Sequence, residues 1–482
     1  MLHSDPIVGK RLLWVLLAAI AGALVWYSQT NAMAWDEGFH ILTAQLILHG
    51  KRPYIDFAFP QTPLNAFWNA LWMAIFGETW RVPHAMAALA SAGATGLTAG
   101  FVLTRFPEVE WRLPGAYVAA ILTGLNVLVF RFGSIAQAYG LCLLLLMAAY
   151  WSGVLALERD SVAFTAAAGF FCGAAASASL LTAPAGPIML IWLVYYRRTW
   201  RTLATYAAGA AVAFSPVLWL IAHGPQQVWF GIVDYHLLYR TINWPGANRQ
   251  NLEVAISWID SGHALLLLAL AVPGIMAVRK PEFRLCGWLV AGLGIYIATA
   301  VRPTFERYFV FTVPFLAILA IAGLRSYCQQ RRWMTVAVVA FLVSLGLGRE
   351  LYLERDDTTW GDYEETARKV QDVTPPNATL YADELIYFLT KHVPPSGMEM
   401  QDSHKLDFPP EKLAKLHLLP QAELDRRVKA GLFDTLETCE DDDFIEEHGY
   451  AKVYGRRAEA GECTVFWNYL PQTIERGGEK PH

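Results

Sequence analysis

Long apolar runs separated by short polar loops make up the first 348 residues of the chain. Each run is about 16 to 22 residues long, which lets a helix cross a hydrocarbon core roughly 30 Å thick. After residue 348 these runs stop and charged residues become frequent. The pattern therefore predicts an α-helical polytopic membrane protein with about 11 spans, at about 11–29, 82–104, 112–130, 138–157, 161–180, 182–196, 202–222, 262–278, 285–300, 308–324 and 333–348.

One further apolar segment, from Leu64 to Phe76, is too short to cross the membrane. A segment of that length is more typical of an interfacial or re-entrant helix than of a span. Counting it as a span would also reverse the side of every later basic loop. We therefore interpret it as a helix that does not cross the bilayer.

Basic residues set the orientation of the predicted spans. Under this assignment fourteen of them share one side of the membrane, which the positive-inside rule identifies as the cytoplasm. The N-terminus then lies inside, and residues 30–81, 223–261, 301–307 and 349–482 lie outside. The basic residues on the inner side are Lys10, Arg11, Arg105, Arg112, Arg159, Arg197, Arg198, Arg201, Arg279, Lys280, Arg284, Arg325, Arg331 and Arg332.

The composition supports a membrane domain, 1–348, followed by a soluble domain, 349–482. With 55% hydrophobic and 17% charged residues, the chain is too apolar for an ordinary soluble protein. The second domain is charged and punctuated by proline. Its segments of helical spacing alternate with short strand-like runs, which predicts a small C-terminal α/β outer domain, with segments at 362–370, 379–382, 422–429, 433–438, 442–448 and 450–454.

Two of the six cysteines, Cys439 and Cys463, fall in the predicted outer domain. An oxidising compartment would permit a disulfide between them, and the sequence leaves open whether it forms. The other four cysteines lie in or beside predicted spans, where cysteine usually serves as a small apolar residue.

Three carboxylates cluster in the first predicted outer loop, 30–81. Asp36 and Glu37 follow the first span directly, and Asp56 lies further along. Carboxylates beside a bilayer are costly to desolvate, so they are functional candidates. Asp36 is placed to act as a general base that takes a proton from an attacking hydroxyl or amine. Alternatively, Asp36 caps a helix from Gly38 to Leu48, since Asp is a favoured N-cap.

The same loop carries a family resemblance. The stretch Trp35-Asp36-Glu37, with 48–57 (LHGKRPYIDF) and 59–64 (FPQTPL), resembles the first loop of GT-C glycosyltransferases. It is most similar to the protein mannosyltransferase and aminoarabinose transferase group of bacterial membrane enzymes. A second, shorter match is Phe305-Glu306-Arg307-Tyr308-Phe309 ahead of Pro314, which is similar to that family's aromatic-rich arginine motif before a late span.

The resemblance implies an activity. In that family the acidic residue after the first span is the proposed catalytic base, which here is Asp36 with Glu37 as its neighbour. The implied reaction transfers a sugar from a polyprenyl-phosphate donor to a lipid, glycan or protein acceptor, with inversion, at the outer face of the bacterial inner membrane. Membrane lipids are the expected surroundings, and we expect no nucleic-acid partner. No cofactor is implied with certainty; a divalent metal on Asp36, Glu37 and Asp56 is an alternative that we do not expect.

A charged phosphate leaving group needs cations rather than a proton donor. Basic residues on the predicted outer side are therefore candidates, and Arg307 and Arg240 rank ahead of Lys51, Arg52 and Arg302 because their forks match phosphate oxygens. Arg307 is alternatively an interfacial anchor or the partner of Glu306. The full set of substrate-binding candidates is Tyr54, Asp56, Gln61, His236, Tyr239, Arg240, Glu306, Arg307 and Tyr308.

Some of these candidates have structural alternatives. The aromatic residues of the 223–261 loop suit contact with sugar or lipid, but they equally fit an aromatic belt; they are Tyr235, His236, Tyr239 and Trp244. Asp56 is alternatively a residue that holds its loop through hydrogen bonds to Tyr54 or to backbone amides. Many relatives carry His or Lys at the position of Gln61, so a charged role there is in doubt.

Two other functional classes fit a polytopic membrane protein. A secondary transporter commonly places ionisable residues near the midplane. Under the predicted boundaries no Asp, Glu or Lys lies deep within a span, which disfavours ion-coupled transport. A membrane scaffold with an outer binding domain also stays open, because Asp383-Glu384 and Ser403-His404-Lys405 have no role in the implied reaction.

The span assignment predicts the side on which each fusion point lies. A reporter fused after His482 should be active outside the membrane, and one fused after Lys280 should be active in the cytoplasm. Paired alkaline phosphatase and fluorescent-protein fusions measure both. A cytoplasmic signal from the His482 fusion would mean that the number of spans is wrong by one.

Overall fold

A computed structural model describes residues 6–30, 34–238, 247–355, 357–375, 377–406 and 408–470. The chain divides into two compact units. The helical unit comprises Met1–Asn31 and Pro60–Asp357, and the α/β unit comprises Ala32–Phe59 and Thr358–His482. The first predicted outer loop is therefore shared: its beginning folds with the C-terminal residues, and its end folds with the membrane helices.

The helical unit is built from long apolar helices joined by short turns. Its first half contains α-helices Pro6–Ser28, Leu64–Phe76, Arg81–Arg105, Val109–Gly124, Val127–Phe132, Tyr139–Glu158 and Val162–Ala178. Its second half contains Ala185–Arg197, Trp200–His223, Pro225–Trp229, Ala247–Asp260, Gly262–Ala277, Pro281–Thr299, Val313–Tyr327 and Arg332–Leu353, with 3₁₀ helices Leu180–Thr182 and Glu306–Thr312 and a π-helical turn Phe230–Asp234.

Several of these helices are suited to cross a membrane. Among the described residues, seven are long and apolar enough to do so, or eight if the bent pair Arg249–Asp260 and Gly262–Ala277 forms one span. The chain is therefore a multi-pass membrane protein. A helix lies over each predicted span, but the number 11 stays a prediction. Leu64–Phe76 has the predicted bounds and is one of the shorter apolar helices.

Close backbone contact joins two helices of this unit. A Cβ atom added at Gly274 would lie 1.9 Å from the carbonyl oxygen of Leu319, and one added at Gly323 would lie 1.9 Å from that of Leu270. Gly274 and Gly323 therefore let Gly262–Ala277 and Val313–Tyr327 approach until their backbones touch. Membrane helices associate through such small residues because lipid supplies no hydrophobic force between them.

Ion pairs join the ends of the membrane helices to one another. Three arginines that set the predicted orientation bind glutamates of neighbouring helix ends: Arg105–Glu158 at 2.6 Å, Arg325–Glu108 at 2.9 Å and Arg332–Glu110 at 2.5 Å. A fourth pair, Arg131–Glu354 at 2.5 Å, joins the end of Val127–Phe132 to the residue after Arg332–Leu353. These pairs tie helix ends that are distant in sequence.

The α/β unit contains one mixed four-stranded sheet, of order β1-β2-β4-β3. β1 (Leu380–Tyr381) runs parallel to β2 (Thr435–Thr438), and β2 and β3 (Tyr454–Ala460) both pair antiparallel with β4 (Cys463–Tyr469). In register, Leu436 and Arg457 both face Phe466. The helices of the unit are Ala34–Leu48, Trp360–Val373, Glu384–Thr390, Pro410–Leu416, Gln421–Lys429, Asp442–His448 and Tyr450–Val453, with a 3₁₀ helix Gln401–Lys405.

The core of this unit forms where the sheet meets its helices. It contains Leu424 and Val428 from Gln421–Lys429, together with Leu436, Tyr450 and Phe466. The predicted α/β fold is confirmed, and the first five predicted segments have the expected type. The alternation predicts a strand at the sixth, 450–454, but Tyr450–Val453 is helical and β3 begins only at Tyr454. The hairpin of β3 and β4 extends the sheet beyond the segments that the sequence predicts.

A disulfide joins Cys439, just after β2, to Cys463, the first residue of β4. The pairing that the sequence left open is therefore present. It lies at the end of β2 and β4, where Thr438 faces Thr464 in the antiparallel register. Covalent linkage of neighbouring strands reduces the conformational freedom of the unfolded chain and so favours the folded sheet.

The glycine contact yields a stability prediction. Gly323→Val should destabilise the helical unit by about 1–3 kcal/mol or more, because the added side chain must displace the backbone of Leu270. Gly346→Val is the matched control, since nothing lies within 4 Å of a Cβ at Gly346. Thermal melting of both variants in detergent measures the difference. Equal melting temperatures would contradict close packing at Gly323.

Candidate active site

The candidate base lies on the helix Ala34–Leu48 of the α/β unit. The helix begins before Asp36 and Glu37, so both carboxylates fall in its first turn. The expectation that Asp36 caps a helix from Gly38 is therefore wrong, because the helical backbone starts four residues earlier. Carboxylates in a first turn are stabilised by the unpaired N–H groups and dipole of the helix. Asp36 is half-buried, whereas the side chain of Glu37 is only 1% exposed.

This helix packs against Glu384–Thr390 from the C-terminal part of the chain. A Cβ at Gly38 would lie 3.1 Å from Cβ of Glu384 and 3.3 Å from Cγ of Leu385, so glycine permits a close approach beside the two carboxylates. About two helical turns after Gly38, Gln45 Nε2 donates to the carbonyl oxygen of Phe388 at 3.3 Å. The position of Asp36 is thus fixed by residues nearly 350 positions away in sequence.

A group of buried acids lies in the same unit. The backbone N–H of Asp383 donates to Oε2 of Glu437 at 3.0 Å. Burial raises the pKa of Glu437 to about 8 and raises that of Asp383, whose pKa the charge of Glu437 raises further. Burial also raises the pKa of Tyr363, with smaller contributions from Asp383, Glu437 and Glu37 among others. The charge of Glu37 is thus felt at Tyr363, and burial favours the protonated forms of Asp383 and Glu437.

A histidine on the same helix is unsuited to act as the base. His40 is 4% exposed and lies between the rings of Phe39 and Phe59, at centroid distances of 4.7 and 6.1 Å. Burial lowers the pKa of His40 to about 3. A neutral imidazole with so low a pKa is a weak proton acceptor at neutral pH, which leaves Asp36 as the better candidate on this helix.

Arg52 and Asp56 form a closed pair in the next part of the loop. Arg52 donates from Nε and Nη2 to the two carboxylate oxygens at 3.0 and 2.8 Å, and its backbone N–H donates at 2.7 Å. The hydrogen bond from the Arg52 side chain lowers the pKa of Asp56. This geometry favours a structural role for Asp56, in which it holds its loop through hydrogen bonds. The guanidinium of Arg52 is bound to Asp56, whereas Lys51 is exposed.

Tyr54 is part of the core of the loop. Its side chain is 1% exposed and its ring lies 5.7 Å from that of Phe59. Burial raises the pKa of Tyr54 well above its usual value. In this conformation Tyr54 supports the loop from within and presents little surface to a substrate.

The remaining candidates belong to the helical unit. His236 Nε2 lies 2.6 Å from the carbonyl oxygen of Pro60. In the tautomer with a proton on Nε2, His236 donates a hydrogen bond to Pro60, the residue before Gln61. Gln61 is half-buried and Arg302 is exposed. Tyr239, Arg240 and Trp244 lie outside the described residues.

The late arginine motif is organised by its neighbours. The Arg307 guanidinium lies 4.4 Å from the Phe305 ring centroid and 5.6 Å from that of Tyr308. Ser257 Oγ donates to Oε1 of Glu306 at 2.5 Å. Arg307, Glu306 and Tyr308 are all half-buried. The aromatic faces on both sides restrain the Arg307 side chain, as cation–π contacts do.

The loop before this motif is fixed by one amide. Asn251 Nδ2 donates to the carbonyl oxygens of Ala298 and Val301, at 3.2 and 2.6 Å, and Asn251 Oδ1 accepts from the backbone N–H of Thr304 at 2.9 Å. One buried side chain thereby positions the residues that lead into Arg307.

Among the described residues, Glu437, Cys439 and Cys463 have metal-ligand spacing. The two sulfurs are joined in the disulfide, and a metal-binding cysteine must be a thiolate. This group is therefore unsuited to hold an ion in the oxidised protein.

Sequence reasoning noted Asp383-Glu384 without a role and missed Glu437. The only signal was a carboxylate within a short threonine-rich strand, Thr435–Thr438, in which every residue is buried. Such burial follows from pairing with β1 and β4 on both sides, which local sequence does not reveal.

The chain has the fold of ArnT from Cupriavidus metallidurans. Against the crystal structure of ArnT in the apo state the TM-score is 0.72 at 14% identity, over 95% of this chain and 98% of that one. Against ArnT bound to undecaprenyl phosphate the TM-score is 0.70 at 16% identity, over 94% and 97%. No protein-family model and no curated protein sequence matches the chain. The predicted GT-C-like, ArnT-like architecture is thereby confirmed at the level of fold.

The protonated Glu437 yields a pH prediction. Its pKa is about 8 when folded against an ordinary 4.5, so between these values the folded chain binds the extra proton. Stability should therefore fall as pH rises from about 5 to 8, by an amount on the order of a few kcal/mol. Glu437→Gln should flatten this dependence, whereas Glu411→Gln, at an exposed position, should leave it unchanged. Melting temperatures across that pH range test the assignment; parallel curves for wild type and Glu437→Gln would contradict it.

Proposed function

We propose that the chain is a glycosyltransferase that moves a sugar from a polyprenyl-phosphate donor to an acceptor at the outer face of the bacterial inner membrane. The observation that carries this proposal is the likeness to ArnT over nearly the whole of both chains, including the structure of ArnT bound to undecaprenyl phosphate. The first-loop and late-arginine motifs of the sequence support the same activity independently.

A membrane enzyme suits a lipid-linked donor. The polyprenyl chain stays in hydrocarbon while its phosphate and sugar reach the polar interface, so the lipid itself restricts where the reaction takes place. The α/β unit lies outside the membrane in this proposal. Its disulfide between Cys439 and Cys463 supports that location, because disulfides persist in oxidising compartments.

Asp36 acts as the general base. The acceptor hydroxyl or amine attacks the anomeric carbon, and its proton passes to the Asp36 carboxylate as the new bond forms. The bond from the anomeric carbon to the phosphate oxygen breaks with inversion, and its electron pair leaves with the polyprenyl phosphate. Support comes from the half-buried position of Asp36 in a helical first turn and from the low proton affinity of His40. Glu37, which is buried, positions this turn.

Arg307 stabilises the leaving phosphate. Its guanidinium is half-buried and restrained by Phe305 and Tyr308, and a planar fork matches phosphate oxygens bidentately. Arg52 is a weaker candidate because its guanidinium already donates two hydrogen bonds to the carboxylate of Asp56. Gln61, His236, Glu306 and Tyr308 then line or support the donor site, and Arg240 and Tyr239 remain candidates on sequence grounds.

The alternative is a transporter or a scaffold with an outer binding domain. The likeness to ArnT extends over 95% of this chain, which favours the enzyme over a transporter of similar helix content. The acceptor is a lipid, a glycan or a protein.

Substitution of the base tests the proposal. Purified Asp36→Asn should lose sugar transfer from a polyprenyl-phosphate donor by roughly 100-fold or more, while donor binding stays close to that of wild type. Asp372→Asn makes the same chemical change at an exposed carboxylate of the α/β unit and should keep full activity. Transfer is measured with radiolabelled donor and a crude membrane acceptor fraction.

The outcomes separate the two parts of the proposal. Full activity of Asp36→Asn would reject Asp36 as the base but keep the glycosyltransferase. Absence of donor-dependent transfer and of donor binding in wild type, together with solute uptake by reconstituted vesicles, would reject the enzyme in favour of a transporter.

A further inference from the structure

A short turn in the helical unit, residues 133–138, is held against the end of the first-loop motif. Asn65 and Asn69, both on the helix Leu64–Phe76, donate from Nδ2 to the carbonyl oxygen of Ala136 at 3.0 and 2.8 Å. All three residues are buried. The turn is therefore fixed to the helix that directly follows Gln61 and Thr62.

The same turn is bordered by the late arginine motif. Tyr139, immediately after the turn, has its ring 5.8 Å from that of Phe311 in the 3₁₀ helix Glu306–Thr312. It also contacts Phe132, before the turn, at 6.2 Å. The helix Leu64–Phe76, which follows Gln61 and Thr62, and the 3₁₀ helix that carries Arg307 thus contact Ala136 and Tyr139 respectively, although no motif marks this turn in the sequence.

Two buried polar side-chain atoms at this place have no hydrogen-bond partner among the described residues. They are Nε2 of Gln137, next to Ala136, and Oγ1 of Thr62, three residues before Asn65. Gln137 is 4% exposed and Thr62 is 3% exposed. Buried polar groups in native proteins are nearly always hydrogen-bonded, and a lone donor costs free energy unless something satisfies it.

The neighbouring hydroxyl shows that the turn is able to satisfy its own polar groups. Ser134, buried in the same turn, donates to the carbonyl oxygens of Phe130 and Arg131 at 2.7 and 3.1 Å. Asn65 and Asn69 are likewise bonded. The unbonded atoms of Gln137 and Thr62 are thus exceptions within an otherwise bonded group, which indicates that their partner is a ligand.

We propose that the side-chain amide of Gln137, assisted by the Thr62 hydroxyl, binds a phosphate oxygen of a polyprenyl-phosphate lipid. The amide Nε2 only donates, and the hydroxyl is able to donate, so an acceptor atom satisfies both. An ionised phosphate oxygen is a strong acceptor with no proton of its own. This inference rests on the proposed function and adds a contact to it: Arg307 supplies charge, and Gln137 supplies a neutral, buried donor that fixes the orientation of the phosphate.

Binding of undecaprenyl phosphate to the purified full chain in detergent tests the proposal. Gln137→Met keeps the length of the side chain and removes the donor, so affinity should fall about 10-fold to 100-fold, the range for a hydrogen bond to a charged group. Gln137→Glu replaces the donor with a negative charge and should weaken binding further. Because Nε2 is unbonded in the structure, the melting temperature of unliganded Gln137→Met should not fall.

Ser134→Ala is the matched control in the same turn. It removes a hydroxyl that bonds within the protein, so it should lower the melting temperature and leave lipid affinity unchanged. Two further ligands identify the recognised group: polyprenol without phosphate should bind far more weakly, and inorganic phosphate should not displace the lipid at equal concentration.

Three results would overturn the assignment. Wild-type affinity in both Gln137 variants would show that the amide does not touch the lipid. Parallel loss of melting temperature and affinity in Gln137→Met would assign it a structural role, and displacement by equimolar inorganic phosphate would make the site a general anion site. If wild type itself fails to bind undecaprenyl phosphate, the proposed donor is wrong and this inference falls with it, a result distinct from failure of the variants alone.

Discussion

The contact between the backbones of Gly262–Ala277 and Val313–Tyr327 is the constraint on which the candidate donor site depends. In hydrocarbon, helices gain little from burying apolar side chains, so close approach and van der Waals contact must hold them. Gly274 and Gly323 permit that approach. As a result Val313–Tyr327 is buried from Val313 to Leu324 and leads directly from the 3₁₀ helix that carries Arg307.

Much of the fold could be predicted because apolar length and charge are local properties. Leu64–Phe76 was recognised as a short helix from its length alone, and the breaks between spans follow arginines that the structure shows in ion pairs, such as Arg105 with Glu158. The hairpin of β3 and β4 could not be predicted. β3 (YGRRAEA) has five exposed or half-exposed residues in succession and only its ends are buried, so it lacks the alternation that marks a strand.

The site divides in the same way. Asp36 and Glu37 are visible in sequence because acids beside a span are rare. A structural role of Asp56 was predicted with Tyr54 or backbone amides as partners, whereas its side-chain partner is Arg52, four residues away. The start of the helix that carries Asp36 was misjudged, since Asp is a favoured N-cap and Asp36 therefore suggested a helix that begins after it. Glu437 and Gln137 could not be identified from sequence, because what distinguishes them is that tertiary contacts bury their polar side chains. A Gln in a Gly- and Ala-rich turn carries no sequence signal of its own.

The division of the α/β unit between residues 32–59 and 358–482 has a consequence for biosynthesis. The helix Ala34–Leu48 leaves the ribosome early, but its partner Glu384–Thr390 and the sheet that supports it follow only after some 300 residues of membrane helices. At roughly 5–20 residues per second, this interval is on the order of 15–60 s. During that time the apolar face of the helix, with Ile41, Leu42 and Ala44 fully buried in the finished protein, has no native partner. The first turn with Asp36 and Glu37 therefore reaches its final position only after the C-terminal residues have been synthesised.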